Sequence, residues 1–208
     1  MTNYLVKECL QEKQTFPDFL DSEVNLIQSE DVKCLVRKAL GRVPEEFWTA
    51  AASSTGKYHP AFSSGESGLV RHTRAAVWFA QQMLELEDAP LAYMKDYIYA
   101  ALILHDTAKH GVPWGTYTVH EHPLLVESYL HQEELPEVLW EKWLGINGLI
   151  QSHMGQWRTS KYSDVELPRI IDHAQFFVHT CDLLASKKDI SLAFLLPCED
   201  AAVNSERS

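Results

Sequence analysis

ALILHDTAKHG, residues 101–111, is the stretch on which the fold turns. An apolar run ends in the doublet His105-Asp106, followed by Lys109, His110 and Gly111. Ile98, Ala101, Leu102 and His105 share the 3/4 spacing of one helix face, so the stretch predicts a buried helix that finishes on an imidazole facing the core. Outward from it the same period recurs. In 31–40, Val32, Leu35, Val36 and Leu40 form a face that stops at Gly41. PEEFWTAAA predicts a helix with Pro44 in its first turn. Further helices are predicted over 69–86, 91–106, 123–131, from Pro136 with Leu139, Trp143, Ile146 and Ile150 on one face, and 168–188. Residues 53–67, SSTGKYHPAFSSGES, are a Gly/Ser loop, and Gly111, Pro113 and Gly115 mark a second. No alternating β-branched run stands out. The expected fold class is all-α.

The chain has 208 residues, of which 46% are hydrophobic and 23% charged, and a formal net charge of −11. This length suffices for one domain with a sizeable core. The acidic balance argues against duplex nucleic acid as a partner, which needs a basic footprint, but not against a phosphorylated substrate, because bound cations invert the local sign. Cys9, Cys34, Cys181 and Cys198 are scattered, with neither a C-x-x-C pair nor a disulfide framework indicated. The start carries no signal-peptide pattern, and no apolar run is long enough for a membrane span. A cytoplasmic setting without membrane contact is the expectation.

The histidines carry the chemistry. His72 lies one turn into a helix, His105-Asp106 end the next, and His122 precedes Pro123 at a helix start. His153 continues the face of Ile146 and Ile150, and Asp182 shares a face with Val178 and Ala185. One core histidine needs no special explanation. Five helices that each turn one or two such groups inward do, because unpaired burial of a polar group costs roughly 2–7 kcal/mol. A metal ion removes that cost by taking neutral imidazoles and ionised carboxylates as ligands.

The ordered set His72, His105-Asp106, His122, His153 and Asp182 resembles the HD-domain superfamily of metal-dependent phosphohydrolases. HDTAK is close to the family's H-D-x-x-K, EHPLLVESYL to its His-Pro helix opening, IQSHMGQW to its S-H-H-G segment, and HTCDLLASK to its A-D-x-x-x-x-K ending. The stretch AAASSTGKYHPAFSSGESGLVRHT is most similar to the approach to the first ligand in HD-type 3′–5′ exoribonucleases. The resemblance spans residues 50 to 190. It implies a helical bundle with a metal centre between the helices, in an HD domain over 46–190, flanked by an N-terminal extension or cap (1–45) and a polar tail (191–208).

The resemblance also implies roles. His72, His105, Asp106 and Asp182 would hold one ion, Asp106 would bridge to a second, and His122 and His153 would serve that second site. Met154 stands where many dinuclear members carry another His, and Met is a poor ligand for harder metals. One or two divalent ions are therefore expected, from among Mn, Fe, Co, Ni and Zn, with His120 or water as a substitute ligand. Lys109, one turn beyond the doublet, is by spacing a helix-end cation worth about 0.3–1 kcal/mol; the resemblance makes it a substrate contact and, with Asp106, a catalytic residue.

Lys57 and His59 in the Gly/Ser loop, and Arg158 after His153, are further candidate substrate contacts, each set against a plain surface role. His179, one turn before Asp182, reads as an orienting or core residue. The implied reaction is hydrolysis of a phosphate ester, in a nucleotide or short oligonucleotide, by a metal-activated hydroxide. The alternative is an HD-fold mixed-valent di-iron oxygenase acting on a small polar or phosphonate-like substrate, a branch that also has a single His at the 153 segment. Homo-oligomerisation is left open.

Overall fold

A computed structural model of the chain describes residues 17–53 and 59–195. It contains seven α-helices: α1 (Asp21–Val24), α2 (Glu30–Leu40), α3 (Gly68–Leu84), α4 (Lys95–Leu104), α5 (His122–Leu125), α6 (Glu137–Gln151) and α7 (His173–Ala185), joined by short 3-10 turns. Among the described residues there is no strand, only an isolated bridge between Ser160 and Ser163. The fold is all-α, as the periodicity predicts.

α4 is the central element. All of Ile98–Leu104 is buried, so the helix is apolar all round. It packs against α1, α2, α3, α6 and α7. α2 is placed by its N-terminus: the Ser29 hydroxyl accepts from the Val32 amide, with Glu30 and Asp31 in the first turn and Arg37 and Lys38 in the last. The Asp96 carboxylate, in the first turn of α4, accepts from the backbone amides of Gln28 and Ser29 at 3.0 and 2.8 Å. Leu20, Val24, Ile27, Val32, Leu35 and Val36 belong to the same apolar core as the helices that follow.

Several elements are shorter than predicted. The segment after Pro44 makes only a 3-10 turn, Glu45–Trp48. The helix from His122 gives way to a 3-10 turn at Val126–Tyr129, and Leu130 is extended. α7 begins at His173 rather than at 168, because the Asp172 carboxylate accepts from the Gln175 amide at 2.8 Å and fixes the helix start there. α4 stops at Leu104, so the His105-Asp106 doublet lies in the turns just past its end.

The start of α3 is held by close backbone approach. A Cβ on Gly68 would lie 2.2 Å from the Ser63 carbonyl oxygen, a contact only glycine permits. The Ser67 and Leu69 amides donate to the carbonyls of Thr49 and Ala50, each at 2.9 Å. Arg71 donates to the carbonyls of Phe62 and Ser64. These bonds clasp residues 59–67 to the base of the helix that carries His72.

Cys34 is disulfide-bonded, a bond that the scattered cysteine spacing did not indicate. Cys181 is a free, buried thiol. No described helix is long and apolar enough to cross a membrane.

Candidate metal centre

Six side chains from five separate segments meet beneath the end of α4. His72 comes from α3, His105 and Asp106 from the turns after α4, His122 from the start of α5, His153 from just past α6, and Asp182 from α7. His72, His105, Asp106, His122 and His153 are each at most 3% exposed.

Asp106 stands between two groups. Its Oδ2 lies 3.6 Å from His72 Nε2 and 3.7 Å from His105 Nε2. Asp182 Oδ1 closes this side, 2.9 Å from His72 Nε2 and 3.5 Å from His105 Nε2. The other oxygen, Oδ1, lies 3.2 Å from His122 Nε2 and 3.9 Å from His153 Nε2. The sets His72–His105–Asp106 and Asp106–His122–His153 each have their ligand atoms close enough to hold an ion, and they share Asp106.

The ring orientations follow from one local device. The Nδ1 atoms of His105, His122 and His153 each lie 2.7 Å from the backbone carbonyl three residues earlier, those of Leu102, Val119 and Ile150. A carbonyl only accepts, so each Nδ1 carries a proton and each Nε2 is the atom turned inward. The Nε2 atoms of His122 and His153 are 3.4 Å apart, and those of His72 and His105 are 3.3 Å apart. His122 Nε2, His153 Nε2 and Asp106 Oδ1 converge on one point. Protonation at Nδ1 leaves Nε2 as the atom that can ligate a cation there, in place of a proton. The donor set, mixed nitrogen and oxygen, suits a divalent transition ion. The buried His/Asp groups can thus hold metal.

The electrostatics agree. Burial opposes the charge on Asp106, but Lys109, His105 and His122 outweigh it and hold the carboxyl well below the usual range. Burial likewise opposes the charge on Asp182, and His105 and His72 outweigh it. His105 is raised: burial works against its protonated form, and Asp106 and Asp182 overcome it. His153 is pushed down to about 3, first by burial and then by the charge of His105.

These directions set an acid response for the metal-free chain. His153 at about 3 and His59 at about 4 both lie below the ordinary 6.5. Between pH 6.5 and 4 the unfolded chain takes up protons that the folded chain refuses, so stability falls as pH falls. The raised His105 changes stability only above 6.5, where its contribution is lost as pH rises, and adds no slope in this window. Asp106 and Asp182 are lost at lower pH still. The melting temperature of chelator-treated protein should therefore drop steadily from pH 6.5 to 4; a flat or rising profile would contradict the neutral burial of His153 and His59.

The remaining sequence candidates fall in different places. Lys109 Nζ is 2.6 Å from Asp106 Oδ2, so the lysine touches a ligand directly. The His59 ring lies edge-on to His72 with 5.4 Å between centroids, and its Nδ1 is buried without a partner. Burial, Lys109 and His72 lower its pKa. Lys57 lies outside the described residues. The Arg158 guanidinium pairs with Glu166. Its carbonyl, 3.2 Å from His120 Nε2, occupies the imidazole proposed as a substitute ligand. His110 stacks on Trp114.

Two features escaped the sequence reading. One is the carbonyl three residues before His105, His122 and His153; its signal is the placement of these histidines at helix termini. The other joins Gly155 to His179, whose Nδ1 lies 2.6 Å from the His153 carbonyl.

No protein-family model, no curated protein and no solved structure matches this chain. Its functional reading rests on the residues themselves.

Proposed function

We propose that this chain is a metal-dependent phosphohydrolase of the HD type, acting on a phosphate ester of a nucleotide or short oligonucleotide. The observation that carries the reading is the division of Asp106, one oxygen towards His72 and His105 and the other towards His122 and His153. Divalent ions held by His72, His105, Asp106, His122, His153 and Asp182 would supply an acidified water and positive charge for a phosphoryl oxygen. The protein's part is to hold the imidazole Nε2 atoms and the carboxylate oxygens turned towards one another and to limit solvent through burial. Lys109, tethered to Asp106, offers an ammonium beside the reacting phosphate. His59, the described loop residue beside His72, offers a hydrogen bond to the substrate. Arg158, beside Glu166, remains a further candidate contact for an anionic substrate. The net charge of −11 favours a small anion neutralised by ions over a long polyanion.

The test is metal analysis with phosphate release from a nucleotide panel and a generic phosphodiester, in the presence of Mn, Co or Ni. One or two ions per chain with metal-dependent hydrolysis is the expected result; metal without hydrolysis of any phosphate ester would overturn it. In the same assay Lys109→Ala should lower turnover about 10²-fold or more, the effect of losing one preorganised charge contact, while metal stays bound. An unchanged rate would return Lys109 to a helix-end cation.

A second reading, the mixed-valent di-iron oxygenase, is favoured by one observation: among the described residues the second group has three members, Asp106, His122 and His153, with Met154 adding no ligand. Two irons, a mixed-valent signal and O₂ consumption without hydrolysis would select it.

A further inference from the structure

We propose that His179 is the positioning residue of the second metal group, acting through the backbone of His153; the inference rests on the metal-centre reading above. His179 lies on α7, one turn before Asp182, and is largely buried. It donates from Nδ1 to the His153 carbonyl at 2.6 Å. That carbonyl sits just beyond α6, where a helix end leaves carbonyls without intrahelical partners.

Gly155 makes the contact possible. Its φ is +54°, and a Cβ there would lie 2.4, 2.6 and 2.7 Å from Cε1, Nδ1 and Nε2 of the His179 ring. The imidazole lies against bare backbone, with the Trp157 ring at 6.0 Å. One turn earlier on α7, Gln175 donates to the Gly148 carbonyl of α6 at 3.0 Å. Two side chains of one helix thus grip the end of the other.

The consequence is specific to the second group. His153 is aimed by two restraints: its own Nδ1 bond to Ile150 fixes the ring, and the His179 bond fixes the backbone from which the ring extends. α7 also carries Asp182, which faces His72 and His105. Asp182 reaches the first group by its own side chain and does not depend on the His179 bond. Loss of that bond should therefore release His153 while leaving the first group of ligands assembled.

The experiment is Co(II) titration of the metal-stripped full chain, followed by visible absorption and calorimetry. The wild-type chain is expected to take up ions in two distinguishable steps. His179→Phe keeps the ring and removes the donor; it should weaken the second step by about 10–100-fold, the usual effect of losing an outer-shell partner, and leave the first unchanged. His179→Asn, whose amide nitrogen can stand where Nδ1 was, should restore most of the second step, which mere packing would not do. Gly155→Ala, which pushes the imidazole off the backbone, should reproduce the His179→Phe result and decides the matter if His179→Phe does not fold. Two ions bound with wild-type affinity by His179→Phe, or by Gly155→Ala in its stead, would overturn the proposal. Equal weakening of both steps would also overturn it, as would failure of His179→Asn to rescue. A wild-type chain that binds no Co(II) would instead overturn the metal centre itself.

Discussion

Asp106→Ala is expected to remove both metal sites at once and to take hydrolysis to the detection limit. No other ligand has this reach, because no other faces both groups. Oδ2 lies with His72 and His105, and Oδ1 with His122 and His153. Loss of an outer-shell partner costs roughly 10–100-fold in metal affinity, and loss of a shared inner ligand should exceed that at each site. Single replacements elsewhere should divide the centre: His122→Ala should lose the second ion and keep the first, whereas His72→Ala should weaken the first. Asp106→Ala also strips the largely buried Lys109 ammonium of its partner at 2.6 Å, so some loss of stability is expected from an unpaired buried charge. Asp106→Asn separates the two effects. It preserves the shape and an acceptor oxygen but not the charge, so it should fold and still lose metal. Metal analysis, turnover and thermal melting on the three Asp106 forms make the comparison. Two ions retained by Asp106→Ala would refute the bridging role outright.

Much of this centre is legible in the sequence, for a physical reason. Ligands carried at or near helix ends inherit the helix period, so His105 reads from Ile98, Ala101 and Leu102, and His153 from Ile146 and Ile150. The spacing that predicts burial also predicts convergence, and all six residues of the expected ligand set do meet. Element limits were less legible. α7 starts at His173 rather than at 168, because the Asp172 carboxylate bonds the Gln175 amide and fixes the first turn there. The segment after Pro44 carries helical spacing but tightens into a 3-10 turn; its carbonyls at Thr49 and Ala50 are used by Ser67 and Leu69, a long-range demand that local pattern does not contain. Gly155 and His179 are 24 residues apart, and only the tertiary packing of α7 against the end of α6 reveals why one must lack a Cβ.

Metal removal should cost the chain about 5–10 °C in melting temperature. In the metal-free centre Nε2 atoms lie 3.3 and 3.4 Å apart in two pairs, and two imidazoles face Asp106 Oδ1. The folded chain carries this arrangement ready-made, whereas the unfolded chain scatters the same residues over more than a hundred positions, from His72 to Asp182. An ion therefore binds the folded state and scarcely the unfolded one. At a free concentration one hundred times the dissociation constant, such selective binding adds about 2.7 kcal/mol of stability. For a chain of this size each kcal/mol moves the midpoint by about 2–4 °C. The shift should grow with the logarithm of ion concentration and vanish when a chelator is present in excess. Replacing His122 should reduce it, since that ligand serves only the second group, and replacing Asp106 should abolish it. A chelated chain that melts with the metal-loaded one, at every ion concentration, would mean that the converging histidines are satisfied within the protein. The two groups would then be a polar core and not a metal centre.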